Sequence, residues 1–494
     1  MDQDTIDYFL GHDVLVSPDV EDEPITKDEA TKILDIFNDE LDVLNQEVLD
    51  LYEQRVKDES SIKVLKSHEE KGRSRSFQDF VKTYNQRYEN LRDLLENRNQ
   101  LNTLSSIKRV KNKERGSEIG VIAMIRDKQN TKNDNIILTL EDKTGTCKAL
   151  IKQENEPELY EEARDLVLDE TIGLNGSWLS GIIYVTDLIF PEVPRTKPLK
   201  KGPEESYVAF LGDPHFGSDV FLKDEFKKFI KWTNGELGGE KHQHIAEHLD
   251  YIICPGDIVE GVGIYPGQED DLEIKDIKEQ YHEAATWLDK VPKDVEMVFI
   301  PGNHDVGRLA EPQHTISKEY APDLWEMDNV QLTSNPSTVR IGETDDFPGF
   351  DILLYHGGSL VYYADQIPSV REAGGQTRSD LIMEFLLQRR HLAPTHGSTP
   401  YVPGDDQLLI DDLPDFFVTG HIHRARAKNY RHITMINAST WGETTEDQIK
   451  RGLEPQPGRV PIVNLRTREM TIINFLSKST KKAEQERVER ATEV

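Results

Sequence analysis

Asp213 and His215 in GDPHFGS, Asp257 in PGDIVEG, Asn303 and His304 in IPGNHDVGR, His356 in YHGGS, and His421 and His423 in TGHIHRA share one setting. Each group follows directly on a short apolar run, most of them through a Gly that lets the backbone turn and a short side chain point inward. Taken singly, the groups are weak signals. Asn-His-Asp after Pro-Gly could be a helix cap, since Asn and Asp cap well. Taken together, repeated strand–Gly–ligand endings that use only Asp, Asn and His are hard to assign to structure alone. Such O and N donors, with no thiolate among them, suit manganese, iron, zinc or similar ions. Seven candidate ligands, Asp213, His215, Asp257, Asn303, His356, His421 and His423, are too many for one transition ion with open positions. Two ions are expected, with Asp257, alone on its turn, as the bridging carboxylate. A pair of ions about 3.5–4 Å apart clamps the attacking and leaving oxygens of a phosphoryl displacement.

The elements that must position these groups are buried strands. YVAFLG, DYIICPG, EMVFIPG, DILLYHG, DFFVTG and HITMINA are near-continuous apolar runs, as strands covered on both faces require. Between them, Phe226, Phe229 and Ile230 share one helical face, as do Ile277, Tyr281 and Leu288. Ligands at the C-terminal ends of sheet strands are where open α/β folds build sites. The expected fold class is α+β multidomain, with a layered αββα domain over 207–475. Residues 113–195 carry five short β-rich runs separated by turn signals, which fits a small OB-type barrel. Trp178 and Tyr184 are its few candidate aromatics for a nucleic-acid face. A Pro- and cation-rich linker is expected at 196–206.

Residues 1–112 are expected to be helical. Leu34, Phe37, Leu41, Leu44, Val48 and Leu51 form a heptad seam on one long helix over 27–56. A second seam runs through Phe77, Val81, Tyr84, Tyr88, Leu91 and Leu95. The stretch between, KDESSIKVLKSHEEKGRSRS, reads as a polar linker, so the two helices suggest an antiparallel hairpin. Residues 476–494 read as a charged tail.

The chain has 494 residues, with 59 Lys and Arg against 91 Asp and Glu, a net charge of −32. Its average field therefore repels a phosphate backbone, and any meeting with nucleic acid needs bound metal ions, a local basic patch or a basic partner. Arg389 and Arg390 are candidates for such a patch, or else for a salt bridge to the barrel. Two distant cysteines, Cys147 and Cys254, argue against a disulfide framework. No basic start followed by an apolar run opens the chain, and no stretch reaches the 18 or so apolar residues of a membrane span. A soluble, cytoplasmic protein without a membrane partner is expected.

The five motifs, in this order, resemble the calcineurin-like metallophosphoesterase superfamily, whose pattern is D-x-H, GD, GNH[DE], H and G-H-x-H. Outside them, GIYPGQEDDL, LLQRRHLAPTHGSTPYVP and DDLPDFFVTGHIH, with a barrel placed before the phosphoesterase, resemble the small subunits of archaeal family D DNA polymerases. The resemblance covers roughly residues 115–470. It implies one ion on Asp213, His215, Asp257 and His423, and a second on Asp257, Asn303, His356 and His421. It implies manganese as the metal, His304 as the acid toward the leaving oxygen, and Asp305 as the group that orients it. It further implies a 3′→5′ proofreading exonuclease acting on the 3′ end of a DNA primer-template. Its partners would be a large polymerising subunit and a sliding clamp. Two positions depart from the pattern: Glu260 stands where GD-x-V-D-G has its last Asp, and Pro214 fills the middle of the first motif. Rival readings are a stand-alone repair nuclease, a non-catalytic polymerase scaffold, and a phosphatase or cyclic-nucleotide phosphodiesterase.

Overall fold

The structure is a computed structural model. It describes residues 1–482 apart from 13, 19, 21, 22, 24, 38–40, 42, 47, 50, 52–60, 70, 71, 446, 447 and 450–452. Two compact units divide it, Met1–Ser61 and Ile62–Val494. The charged tail expected over 476–494 is described only to 482.

In the larger unit the apolar runs become two six-stranded sheets. The first runs in the order Val330–Leu332, Glu296–Phe299, Leu249–Cys254, Tyr207–Phe210, Arg459–Asn464, Met470–Asn474. Its first four strands are parallel. The second runs Arg426–Tyr430, Ile433–Asn437, Phe416–Thr419, Phe347–Tyr355, Ser337–Thr344, Lys63–Lys66. The inner faces share one core, with Val208, Phe210, Ile253 and Val298 against Ile352, Leu354, Phe416 and Val418. Helices cover the outer faces. Phe226, Phe229 and Ile230 of Lys223–Thr233, with Tyr281 and Leu288 of Ile277–Leu288, bury on the first sheet. Leu386 and Leu387 of Ser379–Arg389 belong to the core on the second. Because the central strands run parallel, their C-terminal ends lie on one side, and the turns that follow converge there.

Residues 118–189 close a five-stranded barrel in the order Glu118–Asn130, Ile136–Asp142, Gly145–Ile151, Ile182–Ile189, Thr171–Leu179. It is joined to the two-sheet domain by buried polar bonds. Arg389 donates to Glu170 at 2.9 Å, and its guanidinium lies 4.2 Å from the Phe190 ring and 3.9 Å from that of Phe385. Arg390, in the left-handed region, donates to the carbonyls of Ile410 and Asp411. Both arginines are buried: Arg389 ties the barrel to its neighbour, whereas Arg390 holds a loop of the two-sheet domain itself.

The N-terminal expectations need correction. Of the helix expected over 27–56, Lys27–Phe37 forms, while Val43–Leu44 instead pair in parallel with Leu15–Val16, and 38–40, 42, 47, 50 and 52–56 lie outside the described residues. The seam spacing is satisfied by a small core of its own, Phe9, Val14, Val20, Ile33, Leu41, Leu44 and Leu49. The polar linker contains a strand, Lys63–Lys66, that extends the second sheet by pairing antiparallel with Ser337–Thr344. An edge strand needs backbone bonds and only one anchoring apolar residue, here the buried Ile62. The second seam does form a helix, Phe77–Glu96, opened by a capping box of Ser76 and Asp79. It is no arm of a hairpin. Tyr88 and Leu95 bury against Ile122 and Ile189 of the barrel, and the buried Arg87 donates to Asp406 at 2.6 Å. Among the described residues, no helix is long and apolar enough to cross a membrane.

Candidate metal centre

All seven candidate ligands meet at the mouth between the two sheets. Ligand atoms of Asp213, His215, Asp257 and His423 lie within 4.8 Å of one another, and so do those of Asp257, His356 and His421. Asp257 belongs to both groups. Asn303 joins the second, its Oδ1 2.9 Å from His356 Nε2. His356 Nε2 lies 3.3 Å from Asp257 Oδ2, and His423 Nε2 lies 3.3 Å from Asp213 Oδ2.

Local backbone geometry makes this convergence possible. His215, Asp257, His421 and His423 all have positive φ, between 50° and 65°, a region that only a few per cent of non-glycine residues adopt. Gly302 is needed for a different reason. A Cβ there would stand 2.2 Å from Asp257 Oδ1 and 2.7 Å from His356 Cε1. At Gly420 it would stand 2.4 Å from Asp213 Oδ1. Backbone N–H groups then fix the carboxylates: His304 N donates to Asp257 Oδ1 and His421 N to Asp213 Oδ2, both at 2.8 Å.

The donor set fits divalent cations. Asp213 Oδ1 is buried without a hydrogen-bond partner among the described residues. The Nε2 atoms of His215 and His423 face each other at 3.1 Å, a spacing that calls for a proton or a cation between them. His356 Nδ1 donates to the Pro255 carbonyl at 2.8 Å, which leaves Nε2 as the lone-pair donor, as a ligating imidazole requires. The pocket's charge agrees. Burial alone would lower the pKa of His356, but Asp257 and then Asp213 carry it up to about 10. His215 is pushed up to about 9, against burial, by Glu260, Asp257 and Asp213. Burial would raise Asp257, yet His356, His304 and His215 hold its carboxyl well below the usual range. His421, buried beside His356, falls to about 3 and stays neutral. Buried carboxylates that draw protons onto their imidazole neighbours form a pocket short of positive charge, and divalent ions supply it.

His304 stands beside the group, its ring edge-on to His215 at 4.7 Å between centroids. Its Nδ1 donates to the Glu260 carbonyl at 2.7 Å and lies 3.7 Å from Glu260 Oε1. Burial, with His215 adding to it, lowers its pKa, while Asp257 and Glu260 oppose the fall. Asp305 does not touch it, contrary to the expected pairing. Asp305 accepts from Gly302 N at 2.8 Å, Tyr281 Oη at 2.9 Å and Ile258 N at 3.1 Å. It stitches the turn after Cys254 to the turn after Phe299. Burial, then Asp257, lifts its pKa to about 6. The residue that does hold both imidazoles is Glu260, whose Oε2 lies 3.1 Å from His215 Nδ1. The sequence flagged it only as a departure from the motif. Its extra methylene, seen beside two histidines, is the signal that could have marked it.

Two facing sheets with this cluster at their strand ends define a calcineurin-like phosphoesterase domain, and the family model of that description matches residues 206–425. Such a domain implies divalent metals. Over 390 residues the chain is 40% identical to the DNA polymerase II small subunit of Methanothermobacter thermautotrophicus, covering 78% of this chain and 77% of that one. The corresponding protein of Archaeoglobus fulgidus is 38% identical over 387 residues, with 78% and 75% covered. That of Thermoplasma acidophilum is 31% identical over 478 residues, with 95% and 92% covered. The chain belongs to the small-subunit family of archaeal DNA polymerase II, the family D polymerases.

Proposed function

We propose that this chain is the metal-dependent 3′→5′ exonuclease of a family D polymerase, a cytoplasmic protein that proofreads for a large polymerising subunit. The observation that carries the reading is the shared carboxylate of Asp257, which joins two ligand groups into one site. Asp213, His215, Asp257 and His423 would hold one ion, and Asp257, Asn303, His356 and His421 the other. Manganese is the expected metal. When bound, the ions supply Lewis acidity that lowers the pKa of water and offsets charge on phosphoryl oxygens. His304 keeps Nδ1 on the Glu260 carbonyl, so its Nε2 is the atom that delivers a proton to the departing 3′ oxygen. Burial and His215 lower its pKa, so near neutral pH Nε2 is a bare lone pair, and the negative charge of the bound phosphodiester must draw a proton onto it before it can serve as the acid. The five-stranded barrel is read as an OB fold that ties the domain to its surroundings, and the 3′ end of a primer-template as the substrate. The large subunit supplies most DNA affinity for a chain of net charge −32, with a sliding clamp as a further partner.

The test is digestion of a 3′-mismatched primer-template with Mn²⁺, with and without the large subunit. Asp257→Ala should lose both ions. His304→Ala should keep both and lose activity by roughly 10²–10⁴-fold. Metal loss in step with activity in His304→Ala would refute the acid role. No 3′→5′ degradation by the wild type, even with the large subunit, would leave a scaffold.

A further inference from the structure

The loop between Gly261 and Glu273 borders the metal centre and has no part in holding it. Its root packs on the proposed acid: a Cβ at Gly261 would stand 2.2 Å from the His304 carbonyl oxygen. Two buried glutamines clamp it. Gln280 Oε1 accepts from Gly261 N at 2.9 Å, and its Nε2 donates to the carbonyls of Gly261 and Ile274. Gln268 Oε1 accepts from Ile264 N at 2.8 Å, and its Nε2 donates to the Glu260 carbonyl at 3.0 Å. Tyr265 is fixed on this loop by its hydroxyl, which donates to Asp271 Oδ2 at 3.0 Å and lies 3.4 Å from Glu260 Oε1. Glu260 in turn contacts His215 and His304. One carboxylate therefore separates the Tyr265 hydroxyl from the metal-site imidazoles, while the residue remains 39% exposed.

An aromatic ring pinned by its polar end, with its apolar body in solvent, loses little freedom when something stacks on it. The chemistry around it narrows what that is. Residues 261–273 include no Lys or Arg, but carry Glu269, Asp270, Asp271 and Glu273. This rim cannot neutralise phosphates, so what it offers a strand is contact with a base and not with the backbone. Val262, 49% exposed on the same loop, adds apolar surface. A nucleobase presents an uncharged π face and matches such a surface, provided it is not paired.

We propose that Tyr265 is a positioning residue on which the unpaired nucleobase beside the scissile phosphate stacks, so that the site selects a frayed or mismatched strand end over a paired one. This rests on the phosphodiesterase reading above and adds the feature that recognises the substrate. The full chain with Mn²⁺ tests it on two substrates, a single-stranded oligonucleotide and the same strand ending in abasic tetrahydrofuran sites, which offer no ring to stack. Tyr265→Ala should lower kcat/KM for the oligonucleotide by roughly 10- to 100-fold, the usual weight of one base–aromatic stack. Hydrolysis of the abasic strand should fall no further in Tyr265→Ala than in Tyr265→Phe. Tyr265→Phe, which keeps the ring and loses the hydroxyl, should stay close to wild type. A 3′-terminal 2-aminopurine strand with cleavage-resistant phosphorothioate linkages, bound in Mn²⁺, should be quenched by the wild type and by Tyr265→Phe but not by Tyr265→Ala. Equal loss on both substrates, or equal quenching in all three proteins, overturns the stacking role. A wild type inactive on both substrates refutes the phosphodiesterase reading itself.

Discussion

Gly302→Ala isolates the geometry of the centre from its ligands. Gly302 lies outside the left-handed region, so φ itself does not oppose an alanine there. The obstacle is contact. The added Cβ would stand 2.2 Å from Asp257 Oδ1, 2.5 Å from Asp257 N and 2.7 Å from His356 Cε1. Ordinary carbon–oxygen contact begins near 3.4 Å, so the shared carboxylate must retreat by more than about 1 Å. Such a centre tolerates about 0.5 Å, and a displacement of 1 Å can cost roughly 10²-fold in rate.

Asp257 cannot retreat freely, because its Oδ1 accepts from His304 N and its pocket is closed by His356. The variant should therefore fold, hold fewer than two ions per chain after dialysis against Mn²⁺, and lose at least about 10²-fold in phosphodiester hydrolysis. Metal content by mass spectrometry, initial rates and thermal melting make the set of assays. Gly404→Ala is the control, since its Cβ would meet nothing within 4 Å. If Gly302→Ala keeps two ions and wild-type rates, the claim that Asp257 is wedged in place is wrong.

Arg389→Met should destabilise the barrel–phosphoesterase junction by about 3–5 kcal/mol, because it leaves Glu170 buried without its cation. The double variant Arg389→Met with Glu170→Gln should recover much of that loss in denaturant titrations, and equal instability of both would refute the pairing. Asp305→Asn can still accept from Gly302 N and Ile258 N, so it should cost about 1–2 kcal/mol of stability and leave the pH profile of kcat unchanged. A shifted profile with an unchanged melting temperature would restore the orienting role that the geometry denies it.

The ligands were legible because each is a short polar side chain placed straight after an apolar run, and parallel strands bring such run-ends to one side. No tertiary information is needed to see Asp213, Asp257 or His356 as strand-end residues. Asp305 was misassigned because adjacency in sequence says nothing about side-chain direction: it turns back to Gly302 N and Tyr281, while His304 faces Glu260. Arg389 was undecided because a helix-borne arginine followed by a motif segment looks the same whether it meets DNA or a barrel. Only the fold brings Glu170 and Phe190 to it. The seam from Leu34 to Leu51 misled for a related reason. Spacings of three and four fit one long helix, but they also fit short helices and a short strand around a small core, and the unit Met1–Ser61 has such a core of its own.

The charge state of the pocket leads to one more measurable consequence. His356 is held up to about 10 and His215 up to about 9, so both imidazoles carry a second proton in the metal-free chain near pH 7. His421, at about 3, does not, and Asp257 is already ionised. Binding therefore exchanges about two protons for the ions, since a ligating imidazole must be neutral. Because the pKa values are raised, the protons compete most strongly at low pH. Metal affinity should rise with pH from 7 toward 9–10 and level off above, where the sites are already bare. Titration calorimetry of Mn²⁺ into the apoprotein at pH 7, in buffers of different ionisation enthalpy, should report release of about two protons per chain. His356→Gln should release about one fewer. Heats that do not depend on the buffer would mean that the imidazoles are neutral before the metal arrives, and that the carboxylates do not charge them.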